Sequence, residues 1–126
     1  MITEVRNKIF ALANTVVGLV NKVFYVEAIQ GTTFPYAVFS QVSNPASRDS
    51  ASRFEEIYFQ ISVFAKTASL VESLAALVVA KFDDCETSFI LASYWCTRIE
   101  KEFTRSDKNE DVFQITIQYK LDLTKK

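Results

Sequence analysis

Between Ile57 and Phe64 large aliphatic and aromatic side chains recur at every second position. Ile57, Phe59, Ile61 and Val63 fall on one side of an extended strand, with Glu56, Tyr58, Gln60, Ser62 and Phe64 on the other. The alternation returns over Val112–Leu123, where Phe113, Ile115, Ile117, Tyr119, Leu121 and Leu123 oppose Gln114, Thr116, Gln118, Lys120 and Asp122. Two strands that are each apolar on one side predict a sheet covered on one face only.

Helical spacing appears twice. Val5, Ile9, Leu12, Val16 and Val20 form one stripe, with Thr3 as the expected cap and Glu4 in the first turn, where the helix dipole favours a negative charge. Ser69 and Glu72 have capping-box spacing, and Leu70, Val71, Leu74, Leu77, Val78 and Phe82 then line the inner side of a second helix. Phe24–Glu27 reads as a short strand, Gln30–Thr33 as a turn, and Tyr36–Val42 as a strand that Pro35 precedes because it cannot donate to a ladder. Phe89–Thr104 is long enough for one strand, or for two with a bulge, and Ser106–Glu110 reads as a hairpin loop. The order is therefore α-β-β-β-α-β-β. It predicts one α+β domain over residues 1–126, with a mainly antiparallel sheet of about five strands and two helices on one face. Asn44–Arg53 lacks periodicity and large apolar side chains, and reads as a long exposed loop.

Composition narrows the chemistry. The chain has no histidine, which removes Ser–His–Asp and Cys–His triads and histidine metal sites. Its two glycines, Gly18 and Gly31, cannot build a phosphate-cradling loop. The acid pairs Glu55–Glu56, Asp83–Asp84 and Glu110–Asp111 read as solvated charge at element ends, and Asp83–Glu86 lacks calcium-loop spacing. Cys85 and Cys96 show no metal-ligand or disulfide pattern and read as reduced thiols. No catalytic, metal or cofactor residue is expected. A formal charge of −1 argues against a dedicated nucleic-acid grip, and no apolar run is long enough to span a bilayer. The N-terminus does not read as a secretory signal.

The remaining candidates are contact residues. Tyr58 and Phe64 place two aromatics on an otherwise polar strand face. Arg48, Asp49 and Arg53 supply charge to the loop, and Arg98 and Arg105 are further polar anchors.

With those parts in order, the chain resembles the tail-completion, or tail terminator (tail-to-head joining), proteins of long-tailed bacteriophages. The resemblance rests on the N-terminal helix, Phe34–Pro35–Tyr36–Ala37–Val38–Phe39, the loop Asn44–Phe54 and the strand Ile57–Ala65. It continues through the helix Ser69–Phe82 and the closing strand Phe113–Tyr119. It implies a structural virion protein, made in the host cytoplasm, that forms a six-subunit ring at the head–tail interface. Such a ring caps the tail tube, docks on the head connector and lets DNA pass without gripping it. A ring contact needs two different patches per subunit, which the Asn44–Arg53 loop and the Tyr58–Phe64 face would supply. Two rivals stand beside this reading: a small-molecule-binding or enzymatic dimeric α+β domain, and another connector part such as a head-closure protein.

Overall fold

The computed structural model describes residues 2–43, 54–83, 85 and 88–126. Two helices and five strands follow one another as α1 (Thr3–Ala13), β1 (Val23–Tyr25), β2 (Tyr36–Ser43), β3 (Phe54–Ala65), α2 (Ala68–Phe82), β4 (Tyr94–Asn109) and β5 (Val112–Lys125). In space the strands run β1-β2-β3-β5-β4, so the last strand of the chain lies inside the sheet. β3 and β5 pair antiparallel from Phe54↔Thr124 to Ala65↔Phe113 without a register shift. That register aligns the two apolar faces: Ile57 opposes Leu121, Phe59 opposes Tyr119, Ile61 opposes Ile117 and Val63 opposes Ile115. α2 lies over these two strands and α1 lies against α2 and β1. Ile57, Phe59, Ile61 and Val63 are fully buried there, in one core with Val5, Ile9, Leu74, Val78 and Phe82.

The sheet is mixed, which corrects the mainly antiparallel expectation in one place. β1 runs parallel to β2, pairing Val23↔Ala37 through Tyr25↔Phe39. The reason lies in the link. Parallel neighbours need a crossover, and Val26–Pro35 makes one, turning on the positive φ of Val26 and of Gly31.

Both helices differ from expectation at their ends. Thr3 is the first helical residue of α1; Ile2 takes the cap position and contributes no side-chain bond. α1 stops at Ala13, so the phase of the stripe changes beyond it. Ala13 and Leu19 are buried while Val20 is exposed, and Leu12 is half-buried. Gly18 makes this exit possible: its φ is +96°, and an added Cβ would lie 2.9 Å from Leu74 Cδ2. In α2 the cap is Thr67, whose Oγ1 accepts the Leu70 N–H at 3.2 Å, and not Ser69. The buried stripe is Val71, Leu74, Ala75, Val78 and Phe82. Leu70 and Leu77, expected on the inner side, lie on its flank at 39% and 45% exposure.

The closing hairpin is longer and tighter than its sequence suggests. β4 starts at Tyr94 and continues through Ser106–Asn109, leaving only Glu110 and Asp111 as the turn. Glu110 takes a positive φ of 56°. Phe89 and Leu91 are buried outside regular structure, and α1 is tied to this stretch where Glu4 accepts the N–H groups of Ala92 and Ser93. β4 is one strand with two register shifts, at Cys96/Arg98 and Lys101/Phe103.

Tyr119 carries a hydroxyl into the core. Its ring stacks on Phe59 at 5.3 Å and packs tilted against Phe82 at 5.4 Å, and its hydroxyl has no hydrogen-bond partner among the described residues. Burial, followed by nearby Cys85 and Asp83, raises its pKa above the ordinary 10.0. The folded chain therefore keeps a proton that an unfolded tyrosine has lost, and stability must fall as pH rises past 10.0. Tyr119→Phe should flatten this alkaline loss in denaturant titrations across pH, while changing stability at neutral pH by less than about 1 kcal/mol because no hydrogen bond is given up. Parallel alkaline limbs in the two proteins would contradict the assignment.

Candidate interaction surfaces

The helices cover one face of the sheet and leave the other bare. The alternation of β2, β3 and β5 places Tyr36, Val38 and Ser40 on this open face, beside Tyr58, Gln60, Ser62, Phe64, Gln114, Thr116, Gln118, Lys120 and Asp122. One end of it is aromatic. Tyr36 stacks on its register partner Phe64, with ring centroids 5.0 Å apart and planes inclined by 24°. Phe34 adds to the stack at 5.2 Å from Tyr36, Phe24 meets Tyr36 edge-on at 6.4 Å, and Lys66 Nζ lies 4.8 Å over the Phe34 ring.

The middle of the face satisfies its own hydrogen bonds. Gln60 Nε2 donates to Gln118 Oε1 at 3.0 Å. The Ser62 and Thr116 hydroxyls lie 3.0 Å apart, and Gln114 Nε2 donates to Thr116 Oγ1 at 3.1 Å. The Gln60–Gln118 and Ser62–Thr116 contacts are cross-strand pairs held by the β3–β5 register, and Gln114 braces Thr116 along β5. At the far end Lys120 Nζ sits 3.5 Å from Glu56 and 3.9 Å from Asp122. Asp122, and then Glu56, hold the ammonium above its ordinary pKa. The open face is thus a polar ladder, its Lys120 paired by two acids, closed at one end by stacked rings.

Tyr58 and Phe64, singled out from the sequence, both lie on this face, and both are half-buried by their neighbours. Arg48, Asp49 and Arg53, and the loop that carries them, lie outside the described residues. Arg98 and Arg105 are exposed on β4, each paired with an acid two residues on: Glu100 at 3.1 Å and Asp107 at 3.0 Å. Sequence reasoning missed the partners of Phe64. Tyr36 and Phe34 join it only through the β2–β3 register, although the antiparallel pairing of two alternating strands carried that signal.

Other apolar exposure lies off this face. Val17, at 79%, and Leu77 border a groove of about 340 Å³ formed with Thr15, Val16, Ala80 and Lys81. Ile90 and Trp95 flank a hollow of about 200 Å³, and Lys126 Nζ lies 4.2 Å over the Trp95 ring. Trp95 is therefore a surface residue of the sheet edge. The hollow between α2 and the sheet, beside Tyr119, measures about 140 Å³, well below the volume of ordinary small-molecule sites. Cys85 is buried and Cys96 half-buried, and neither forms a disulfide.

Comparison with known proteins places this arrangement. The model of the tail completion protein gp17 family matches residues 8–121. The chain belongs to that family. As a tail completion protein it is a structural component of the phage virion. No curated protein matches its sequence. Its fold is shared by a chain of a solved structure, "Virion of native gene transfer agent (GTA) particle", with a TM-score of 0.68 at 15% identity, over 97% of this chain and 90% of that one.

The open face of the tail completion protein offers a direct measure of how its aromatic end is held. A double-mutant cycle on Tyr36→Ala and Phe64→Ala, read by chemical denaturation, should give a coupling of about 0.5–1.5 kcal/mol. Additive losses would mean that the two rings are independent.

Proposed function

We propose that this tail completion protein forms a ring on the finished end of the tail tube and joins it to the head connector. The observation that carries this reading is the family match, which spans nearly the whole chain. The shared fold with a chain of a gene transfer agent virion is consistent with it. The protein acts here by fitting other proteins: the tail tube protein on one side, the head connector or head-closure protein on the other, and further copies of itself, six in all, around the ring. DNA passes through the channel without specific binding. The pairing of Lys120 by two acids on the open face agrees with this, because a lining of unpaired cations would neutralise phosphates and hold the duplex. No catalysis is assigned. The small-molecule reading is disfavoured by the filled interior, whose hollow beneath α2 is only about 140 Å³.

Ring closure by a heterologous contact needs two unlike patches on each subunit. We assign one to the Asn44–Arg53 loop, through Arg48, Asp49 and Arg53, and the other to the face that carries Tyr58 and Phe64. The loop has no large apolar side chains from which to build a core, and fixing it on a partner costs roughly 1–2 kcal/mol per residue. A partner surface that binds the loop must compensate that loss. Shortening it in the phage and examining particles by electron microscopy tests the assignment. Complete heads accumulating beside unjoined or overlong tails are expected. Normal yields of infectious particles would refute the role of the loop.

A further inference from the structure

We propose that the crossover between β1 and β2 is a plug for a second copy of this chain. Val26 and Ile29 of one subunit seat in the groove between the α1 exit and α2 of the next, and Glu27 lies against Lys81 there. The contact rests on the ring reading above for its setting, and adds an apolar joint to the loop and open-face patches assigned there.

The plug is held in one shape. The crossover leaves the sheet after Tyr25 and returns to it at Tyr36. The Val26 N–H donates to the Phe39 carbonyl at 2.9 Å, and the Ile29 carbonyl accepts both the Thr32 N–H, at 3.0 Å, and the Thr32 hydroxyl. Lys22 Nζ donates to the Thr33 carbonyl at 2.9 Å and to Thr33 Oγ1 at 2.6 Å, which ties the far limb back to the segment before β1. A loop already fixed in this way gives up little further freedom when it docks. Yet it turns its apolar side chains outward: Val26 is 62% exposed and Ile29 71%. Val26 does so at a φ of 72°, in the left-handed region that β-branched residues disfavour. Glycine would hold the same turn without that strain, so the turn alone does not account for a valine, whereas an outward apolar contact does.

The socket lies on the helical side. Val16, Val17, Leu77 and Ala80 give the groove of about 340 Å³ its apolar walls, and Lys81 is the only charged residue that lines it. Glu27 is likewise the only charged residue of the crossover. Both are exposed, and neither side chain has a partner among the described residues. Arg98, Arg105 and Lys120, by contrast, are paired within the chain. Plug and socket thus match as apolar on apolar, with one unpaired charge of opposite sign on each, and complementary charge of this kind fixes orientation at specific interfaces. The two patches are unlike and lie on different elements. Their contact is therefore heterologous: each subunit gives its plug to one neighbour and its socket to the other, as a ring requires.

Disulfide cross-linking of the purified full chain tests the pairing. Ile29→Cys and Val17→Cys place thiols at exposed positions of the plug and of the socket. On oxidation, an equimolar mixture of the two single variants should give covalent dimers at least about tenfold above either variant alone, since only the mixture brings the two new thiols together. Adding Glu27→Lys to the Ile29→Cys variant should cut that yield at least about threefold, because like charges then meet at the groove. Adding Lys81→Glu to the Val17→Cys variant as well should restore it, because the pair is then reversed and no longer broken. Should a cysteine variant fail to fold by circular dichroism, Val26→Cys mixed with Leu77→Cys gives the second reading. A mixture that cross-links no better than its single variants, or a yield indifferent to the charges at Glu27 and Lys81, would overturn the proposal and leave the ring reading intact. Cross-linked subunits that are absent from the head–tail junction of the virion would overturn the ring reading and leave the contact standing.

Discussion

Everything in this molecule hangs on the unbroken pairing of β3 with β5. It aligns two apolar faces residue for residue, and Phe59, Tyr119 and Phe82 close over the seam in a three-ring cluster. A slip of one residue would turn every core side chain towards solvent, so the pairing is strongly specified by burial. α2 can dock only where that seam is apolar. The reverse side of the same register brings Gln60 to Gln118 and Ser62 to Thr116, so the open polar face is a by-product of the core. A single constraint therefore builds both the interior and the surface offered to partners.

The parts of the fold governed by that constraint were legible in the sequence. Strict alternation over Ile57–Val63 and Phe113–Leu123 identified both central strands and their buried sides. What depends on local geometry was not. The parallel direction of β1 follows from a crossover whose turns use positive φ at Val26 and Gly31, and only Gly31 advertises that conformation. Ser69 and Glu72 offered a plausible capping box, but Thr67 takes the cap two residues earlier; Leu70 and Leu77, which fit the apolar stripe by spacing, lie on its flank. Ser106–Asn109 looked like a loop because its residues are polar; as part of an edge strand they need no apolar side.

The contact surface was half legible. Tyr58 and Phe64 could be placed on the polar side of β3 by counting, whereas the aromatic stack around Phe64 requires the β2 register. The charges of β4 could be read singly, but their common face depends on one extra residue at Glu102 that periodicity does not reveal. Membership of the tail completion family gives these surfaces a setting: a protein whose work is to fit against other virion proteins needs edges and faces more than it needs cavities. The small hollow beside Tyr119 and the self-satisfied polar ladder suit that work.

The most direct test of the account is to locate the protein in the particle. An electron cryomicroscopy reconstruction of the intact virion should place copies of this fold in one closed ring at the junction of tail tube and head connector, with an open central channel. Copies found at the distal tail tip, distributed along the tube or inside the head would contradict it.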